Sequence, residues 1–531
     1  MTAVLYILVA AAAGLALAKW LRLPSVPMLV LAGLTLRMTG LVPDEALLRD
    51  AMLLGLAFLV FVAGTELNPD RLGDQRRAAL VVGLAQFIVL AVVGIAVARM
   101  LGFAWETAAY IGLALTASST LVVVTLLRQR QQFFEPFGRL VLGVLLLQDI
   151  LVIVAIAALS GVDGGPEVVG LRLGGMAALL LLAWVCVRWV TPWLMLKLNL
   201  DEESLLLVLL AMLFTFVGLS QWMGLPMVTG AFLAGVSLSG FPSNGIVRGQ
   251  VNSLADFFLA VFFVALGGAL MWLGPAELVL AMALVVLVLV VTPPLVAWVG
   301  RRVGLSSRVS IESGLLLAQC SEFSLVVVLL GVEQGHVSED VFAIVALVTV
   351  VTMILTPFVA TDANTWRVMR LRLPHGWVGG ERRETRPSDH VLMLGCGTNG
   401  QKLADALVQR GHRVVVVDDD PGMIARLRQR GVEAVRGDGA DYIILRDVGA
   451  RAAKVVVSTM RRTSDNERML RFLWDANVPV VLRTFGPDAA ERFAVYGAIP
   501  IIESELGADA TLAWFEETFL QTSPATADAQ A

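Results

Sequence analysis

Cysteine is scarce and scattered in this sequence. Cys186, Cys320 and Cys396 are the only three among 531 residues, and none has a CxxC or Cys/His spacing. That pattern argues against a zinc site and against a disulfide framework, so all three are expected to be reduced. Charge is sparse too, at 16% of residues, and no basic excess exists: the formal net charge is -4 and the pI about 5.7. A basic footprint for nucleic acid is therefore missing, and no such partner is expected. What fills the chain is apolar, 57% of it, with a mean hydropathy of +0.78, the composition of a polytopic membrane protein. Charged residues crowd in after Arg367, which predicts a membrane body followed by a soluble domain.

Apolar runs of near-spanning length predict about 13 spans, at 2–18, 25–37, 49–66, 77–99, 105–127, 138–160, 167–190, 204–221, 225–240, 254–273, 275–299, 309–332 and 339–362. The first run lacks a basic n-region and is expected to be a retained span rather than a cleaved signal. Basic residues alternate between loops. Lys19, Arg22, Arg71, Arg76, Arg77, Arg128, Arg130, Arg139, Arg188, Lys197, Arg248, Arg301, Arg302 and Arg308 fall on one side, against Arg37, Arg49, Arg99 and Arg172 on the other. The N-terminus is thus expected outside and the C-terminus inside.

Within this apolar body Asp149 lies in the run GVLLLQDILVIV (143–154), beside Gln148, with no Lys or Arg between Arg139 and Arg172. An ionised group at membrane depth costs about 2.5 to 3.5 kcal/mol on insertion scales, so one is kept mainly where it works. A proton- or cation-binding carboxylate is the reading this favours. Gln86 suits interior polar packing as well as function, and Glu66 and Asp256 lie near span ends, where a solvated acid is cheap.

An internal repeat organises the body. LPSVPMLVLAGLTL at 23–36 and LPMVTGAFLAGVSL at 225–238 align without gaps, an offset of 202. The same offset places Phe61, Val62 and Ala63 on Phe263, Val264 and Ala265, and Gly112 and Leu113 on Gly314 and Leu315. It shifts the span count by seven, and an odd shift inverts the repeat across the membrane, as in secondary transporters with sites where discontinuous helices meet. The register also pairs GLALTASST (112–120) with GLLLAQCSE (314–322). Both end in polar clusters in mid-span, the second containing Glu322, and are expected to break two crossing helices, since unwound backbone is tolerated at that depth only where it lines a cavity or is buried in protein.

From His390 the pattern changes to alternating strands and helices. HVLML (390–394) runs into Gly395, Cys396, Gly397, Thr398, Asn399 and Gly400, then a helix, then RVVVVD ending at Asp418. A GxGxxG that follows a strand, opens a helix and has an acid about 20 residues on is a dinucleotide-binding pattern: glycines admit a pyrophosphate to the helix N-terminus, and the acid bonds ribose hydroxyls. Strands at 432–438, 454–459, 479–484 and 499–504 complete one doubly wound, Rossmann-like α/β sheet. The expected domains are 1–363, an exchanger domain; 364–389, a basic linker suited to anionic headgroups; 390–520, a nucleotide-binding domain; and 521–531, a disordered tail.

The chain resembles the monovalent cation:proton antiporter-2 family, the Kef-type potassium/proton antiporters. The likeness rests on FVAGTEL at 61–67, the TASST break, LLLQDI at 145–150, GAFLAGVSLS at 230–239, FFVALG at 262–267 and SEF at 321–323. It implies that Asp149 carries the cation and the proton, that Gln148 is its partner, and that Thr116, Ser118, Ser119 and Thr120 line the site, with Glu322 in the second break. It also implies a homodimer in the cell (inner) membrane with the C-terminal domain cytoplasmic. That domain resembles the Trk-type nucleotide-binding module, with GDGAD at 437–441 at its third-strand turn. An adenine nucleotide, NAD(H) or AMP/ATP, is thus expected at Gly395, Gly397, Thr398, Asn399, Gly400, Asp418 and Asp438. The glycine turn carries Thr398 where glutathione-gated members have a basic residue, and Gly240 to Gln250 lacks their acidic loop. Glutathione gating is not expected. A nucleotide-gated potassium channel is the alternative, but nothing like a TVGYG filter occurs. A membrane-anchored dehydrogenase lacks a substrate domain after Leu506, so no enzyme is expected.

Overall fold

Lipid and protein sort the side chains of α4 (Arg76–Met100) in a way that reports its setting. Leu80, Leu84, Ile88 and Val92 point outward at 54, 46, 51 and 59% exposure, whereas Gln86, Gly83 and Gly94 are buried. An apolar exterior around a partly polar interior is what a bilayer solvent selects. The computed structural model describes residues 2–21, 24–40, 45–65, 75–130, 132–133, 136–161, 164–193, 202–239, 245–270, 273–370 and 387–516. Glu66, the loop 240–244, most of the expected basic linker (371–386) and the expected tail lie outside the described residues.

The chain forms two compact units, Met1–Val303 with Val309–Val368, and Gly304–Arg308 with Met369–Ala531. In the first, α1 (Thr2–Leu21), α2 (Ser25–Met38) and α3 (Glu45–Thr65) precede α4, and a broken span follows as α5 (Trp105–Ala114) and α6 (Thr120–Gln129). Then come α7 (Pro136–Leu159), α8 (Gly165–Val185), α9 (Glu202–Trp222), α10 (Met227–Ser239), α11 (Gly245–Ala269) and α12 (Pro275–Arg302). A second broken span, α13 (Ser307–Leu316, its first two residues counted with the second unit) and α14 (Glu322–Glu333), leads to α15 (Glu339–Val359). Among the described residues, eight helices are long and apolar enough to cross a membrane unaided. The other five expected spans are the two broken ones and the segments at α2, α10 and α11, whose apolar stretches are shorter.

The 202-residue offset carries α2–α7 onto α10–α15 element by element, and even the break Leu115–Ser119 onto Leu317–Ser321. Packing obeys it as well. A Cβ on Gly33 would lie 2.0 Å from the Val264 carbonyl oxygen, and one on its repeat mate Gly235 would lie 2.0 Å from the Phe61 carbonyl oxygen. Helices α2 and α11, and likewise α10 and α3, therefore cross with backbones in direct contact, which small residues alone permit.

The second unit is a six-stranded parallel sheet in the order β3-β2-β1-β4-β5-β6. Its strands are β1 (Val391–Leu394), β2 (Val414–Asp418), β3 (Glu433–Arg436), β4 (Val455–Ser458), β5 (Val480–Thr484) and β6 (Ile499–Ile502). Valines and leucines fill β1 and β2 without alternation because helices cover both faces. The order reverses between β1 and β4, and ligands of such sheets bind at the carboxyl ends beside that switch.

Candidate functional site

The two broken spans interlock through side chains that reach into each other's unwound backbone. Ser118 Oγ donates to the Leu317 carbonyl at 2.8 Å, and Ser324 Oγ donates to the Ala114 carbonyl in the opposite direction. Each resumed half-helix starts on a serine cap, Ser119 accepting from Val122 N and Ser321 from Phe323 N. Those caps are repeat mates, 202 apart. Capping satisfies one of the amide groups a helix start leaves open.

Asp149 stands in the middle of α7 and is 2% exposed. Thr120, first residue of α6, donates its hydroxyl to Asp149 Oδ2 at 3.4 Å. Gln148, wholly buried, accepts from Ser118 N through Oε1 at 3.1 Å. Its mate helix solves the same problem with another residue: Thr352 Oγ1 of α15 accepts from Cys320 N at 3.0 Å, and Cys320 is the mate of Ser118. Gln148 thus holds the break in place beside the carboxylate. Thr116 turns its hydroxyl back to the Leu113 carbonyl, 2.7 Å away, and so closes its own helix end. Glu322 is 4% exposed in the first turn of α14, where the N-terminal end of a helix dipole favours a negative charge.

Two buried polar groups around the crossing had weak or no sequence signal. Gln86 Nε2 donates to Ser118 Oγ at 3.3 Å and to the Leu317 carbonyl at 3.5 Å. Glu312 on α13 is 1% exposed and lies 3.9 Å from Arg130, which also donates to the Ala360 carbonyl. An acid inside a short half-helix paired with an arginine from a distant loop carries no local motif; its one clue was a charge inside an apolar window.

In the second unit the glycine turn has the form a phosphate needs. The helix α16 (Thr398–Gln409) begins on Gly397 with no side-chain cap, so its first amides remain available to an anion. A Cβ on Gly397 would meet nothing within 4 Å, one on Gly400 would touch the Gly395 carbonyl at 3.3 Å, and Gly395 has φ +79. The turn therefore uses its glycines for open approach, close packing and a left-handed backbone in turn. Asp418 ends β2, its Oδ2 accepting from Cys396 N at 2.6 Å and Oδ1 from Asp420 N at 2.9 Å. Burial raises its carboxyl above the usual range, opposed by those amides. Asp438 accepts from Ala440 N at 2.8 Å and, with Asp465, from Arg308 at 3.2 and 2.6 Å. Burial raises Asp465 to about 6 against the pull of Arg308, with Asp438 adding to the rise. The structure thus binds Asp438 to protein groups, while the side chains of Thr398 and Asn399 lie outside the described residues. Open glycine backbone, uncapped helix start and an oriented acid fit a nucleotide.

Residues 7–361 match the family model described as sodium/hydrogen exchanger, transmembrane, and residues 391–503 match the TrkA-N domain. The solved sodium proton antiporter MjNhaP1 from Methanocaldococcus jannaschii superposes with a TM-score of 0.54 at 15% identity, over 70% of this chain and 99% of that one. That likeness is one of fold. The TrkA-N domain of inner membrane protein ybaL from Escherichia coli is 22% identical over 25% of this chain and 100% of that one, with a TM-score of 0.24. The NAD(P)-binding domain of an exopolyphosphatase-related protein from Archaeoglobus fulgidus is also 22% identical, over 24% and 99%, with a TM-score of 0.23.

Proposed function

The chain belongs to the sodium/hydrogen exchanger family, and on that premise we propose that it is a Kef-type antiporter exchanging potassium for protons, one for one, at Asp149. The observation that carries this reading is a carboxylate 2% exposed in mid-helix, hydrogen-bonded to the first residue after a helix break. Such a group holds a proton in one half of the cycle and a bare monovalent cation in the other. Thr120 orients the carboxylate, and Gln148 fixes the break through Ser118 N. The interlocked half-helices hold irregular backbone at depth inside protein, where it is tolerated.

One carboxylate neutralised alternately by a proton or a cation moves no net charge. The mate of α4, helix α12, supports that stoichiometry: its basic residues are Arg301 and Arg302, both in the last turn, so no cationic side chain stands at mid-span as a second carrier. We further propose that the protein works as a homodimer in the cell membrane with its second unit cytoplasmic. An adenine nucleotide on Gly395, Gly397 and Gly400 then regulates exchange. When bound it supplies phosphates to the start of α16 and ribose hydroxyls to Asp418.

Purified protein in liposomes with an imposed pH gradient tests the reading. Each alkali cation is added in turn, and potassium is expected to dissipate the gradient in the native protein but not in Asp149→Asn. Cation-dependent proton flux persisting in Asp149→Asn removes Asp149 as carrier, and a preference for sodium replaces potassium as substrate.

A further inference from the structure

The polar residues of the crossing are distributed unequally between the repeats. By the 202-residue offset Gln86 corresponds to Val288, Gln148 to Val350 and Asp149 to Val351. Val288 is as buried as Gln86, at 0 and 1% exposure. The same packing place is thus filled by a hydrocarbon in one repeat, so the fold itself does not ask for an amide at 86. Burying one is costly unless its groups are hydrogen-bonded.

Its bonds lead to the carrier. The amide nitrogen of Gln86 reaches Ser118 Oγ in the first break and the Leu317 carbonyl in the second, while Ser118 Oγ donates to that same carbonyl. A carbonyl only accepts, so Leu317 fixes which end of the amide faces it. Ser118 N in turn donates to Gln148, the residue next to Asp149, and Thr120, two residues on, holds Asp149 at 3.4 Å. That distance, like the 3.3 and 3.5 Å of the two Gln86 bonds, is near the limit of a hydrogen bond, so a shift of the first break by a few tenths of an ångström removes it.

We propose that Gln86 is a positioning residue for the exchange reaction: by pinning both helix breaks from a third helix, it sets the place of Thr120 and Gln148 around Asp149. The inference rests on Asp149 being the carrier. It predicts that losing the amide weakens cation binding while leaving the carrier itself able to cycle.

The test uses full-length protein in liposomes, following gradient dissipation against potassium concentration, with sodium in parallel. Gln86→Met keeps the length and removes the hydrogen bonds. The half-saturating cation concentration is expected to rise about tenfold, with the maximal rate per folded protein within about twofold of the native value. In the Ser118→Ala background the same substitution is expected to add little, because the two residues act through one network. A lower maximal rate with unchanged half-saturation marks a packing role and overturns the proposal, as does full additivity with Ser118→Ala. If Gln86→Met fails to fold, Ser118→Ala alone decides, since the proposal requires it to raise half-saturation as well. Native protein that exchanges no alkali cation overturns the reading of Asp149 together with this one, whereas normal exchange in both native and Gln86→Met protein overturns this one alone.

Discussion

Replacing Gly235 by alanine places a methyl carbon 2.0 Å from the Phe61 carbonyl oxygen, 2.9 Å from Gly64 Cα and 2.9 Å from Thr65 N. Ordinary contact begins near 3.4 Å, so α10 and α3 must part by more than an ångström at their crossing. No flexible side chain stands in the way to yield; all three neighbours are backbone atoms of a helix. Overpacking of well-packed interiors costs about 1 to 3 kcal/mol, and a backbone-on-backbone clash belongs at the upper end. About 3 kcal/mol corresponds to a melting-temperature loss on the order of 5 to 10 °C. Gly33→Ala, the repeat mate, meets the Val264 carbonyl at the same 2.0 Å and is expected to lose a similar amount. Gly174→Ala on α8 is the control, since a Cβ there meets nothing within 4 Å, and it gains about 1 kcal/mol of helix propensity at most. Intrinsic-fluorescence melting of detergent-solubilised protein measures all three. Gly235→Ala and Gly33→Ala melting with the native protein would refute the backbone crossings, and with them the repeat as a packing principle. A loss in one mate alone would refute their equivalence.

Other outcomes follow from the two sites. Gly397→Val is expected to fold normally, because its side chain points into open space, yet to lose adenine-nucleotide affinity in calorimetry; Gly400→Val, pressed against Gly395 and Thr459, is expected to lower the melting temperature as well. Unchanged affinity in Gly397→Val would remove the turn as the binding place. Burial, with Asp418 and Asp405 nearby, pushes the Cys396 thiol up to about 12, so at pH 8 it stays protonated and is expected to resist maleimide in a Cys186→Ser, Cys320→Ser background until the protein is denatured. One-for-one exchange at Asp149 is expected to give no sustained cation-induced current on solid-supported membranes. A current that vanishes in Glu322→Gln would mean that a second proton moves. The membrane potential is worth about 2.3 kcal/mol per net charge moved per 100 mV, and one-for-one exchange moves none, so an imposed potential should leave the equilibrium cation gradient at a given pH gradient unaltered.

Periodicity made the architecture legible. Thirteen apolar runs, one 202-residue register and a change from helical to alternating pattern at His390 are properties of local sequence, because burial in lipid and burial between helix layers each select residues at a fixed spacing. The breaks at Leu115–Ser119 and Leu317–Ser321 were legible for a like reason, as polar clusters inside runs that are otherwise apolar. Asp149 stood out because a charge at that depth is expensive. What tertiary structure alone decided is the partner of each polar group. Thr116 and Ser118 belong to one TASST stretch, yet the first closes its own helix and the second bonds Leu317, 199 residues away. Gln148, which the family likeness makes the partner of the neighbouring acid, accepts a hydrogen bond from a backbone amide in the first helix break. Asp438 matched a nucleotide-binding turn and is engaged by Arg308 and its own loop. Glu312 and Arg130 meet from the two broken spans, which lie far apart along the chain. Hydrogen bonds and ion pairs act over about 3 to 4 Å, so their pairing is set by which segments the fold brings together, and no spacing along the chain records that.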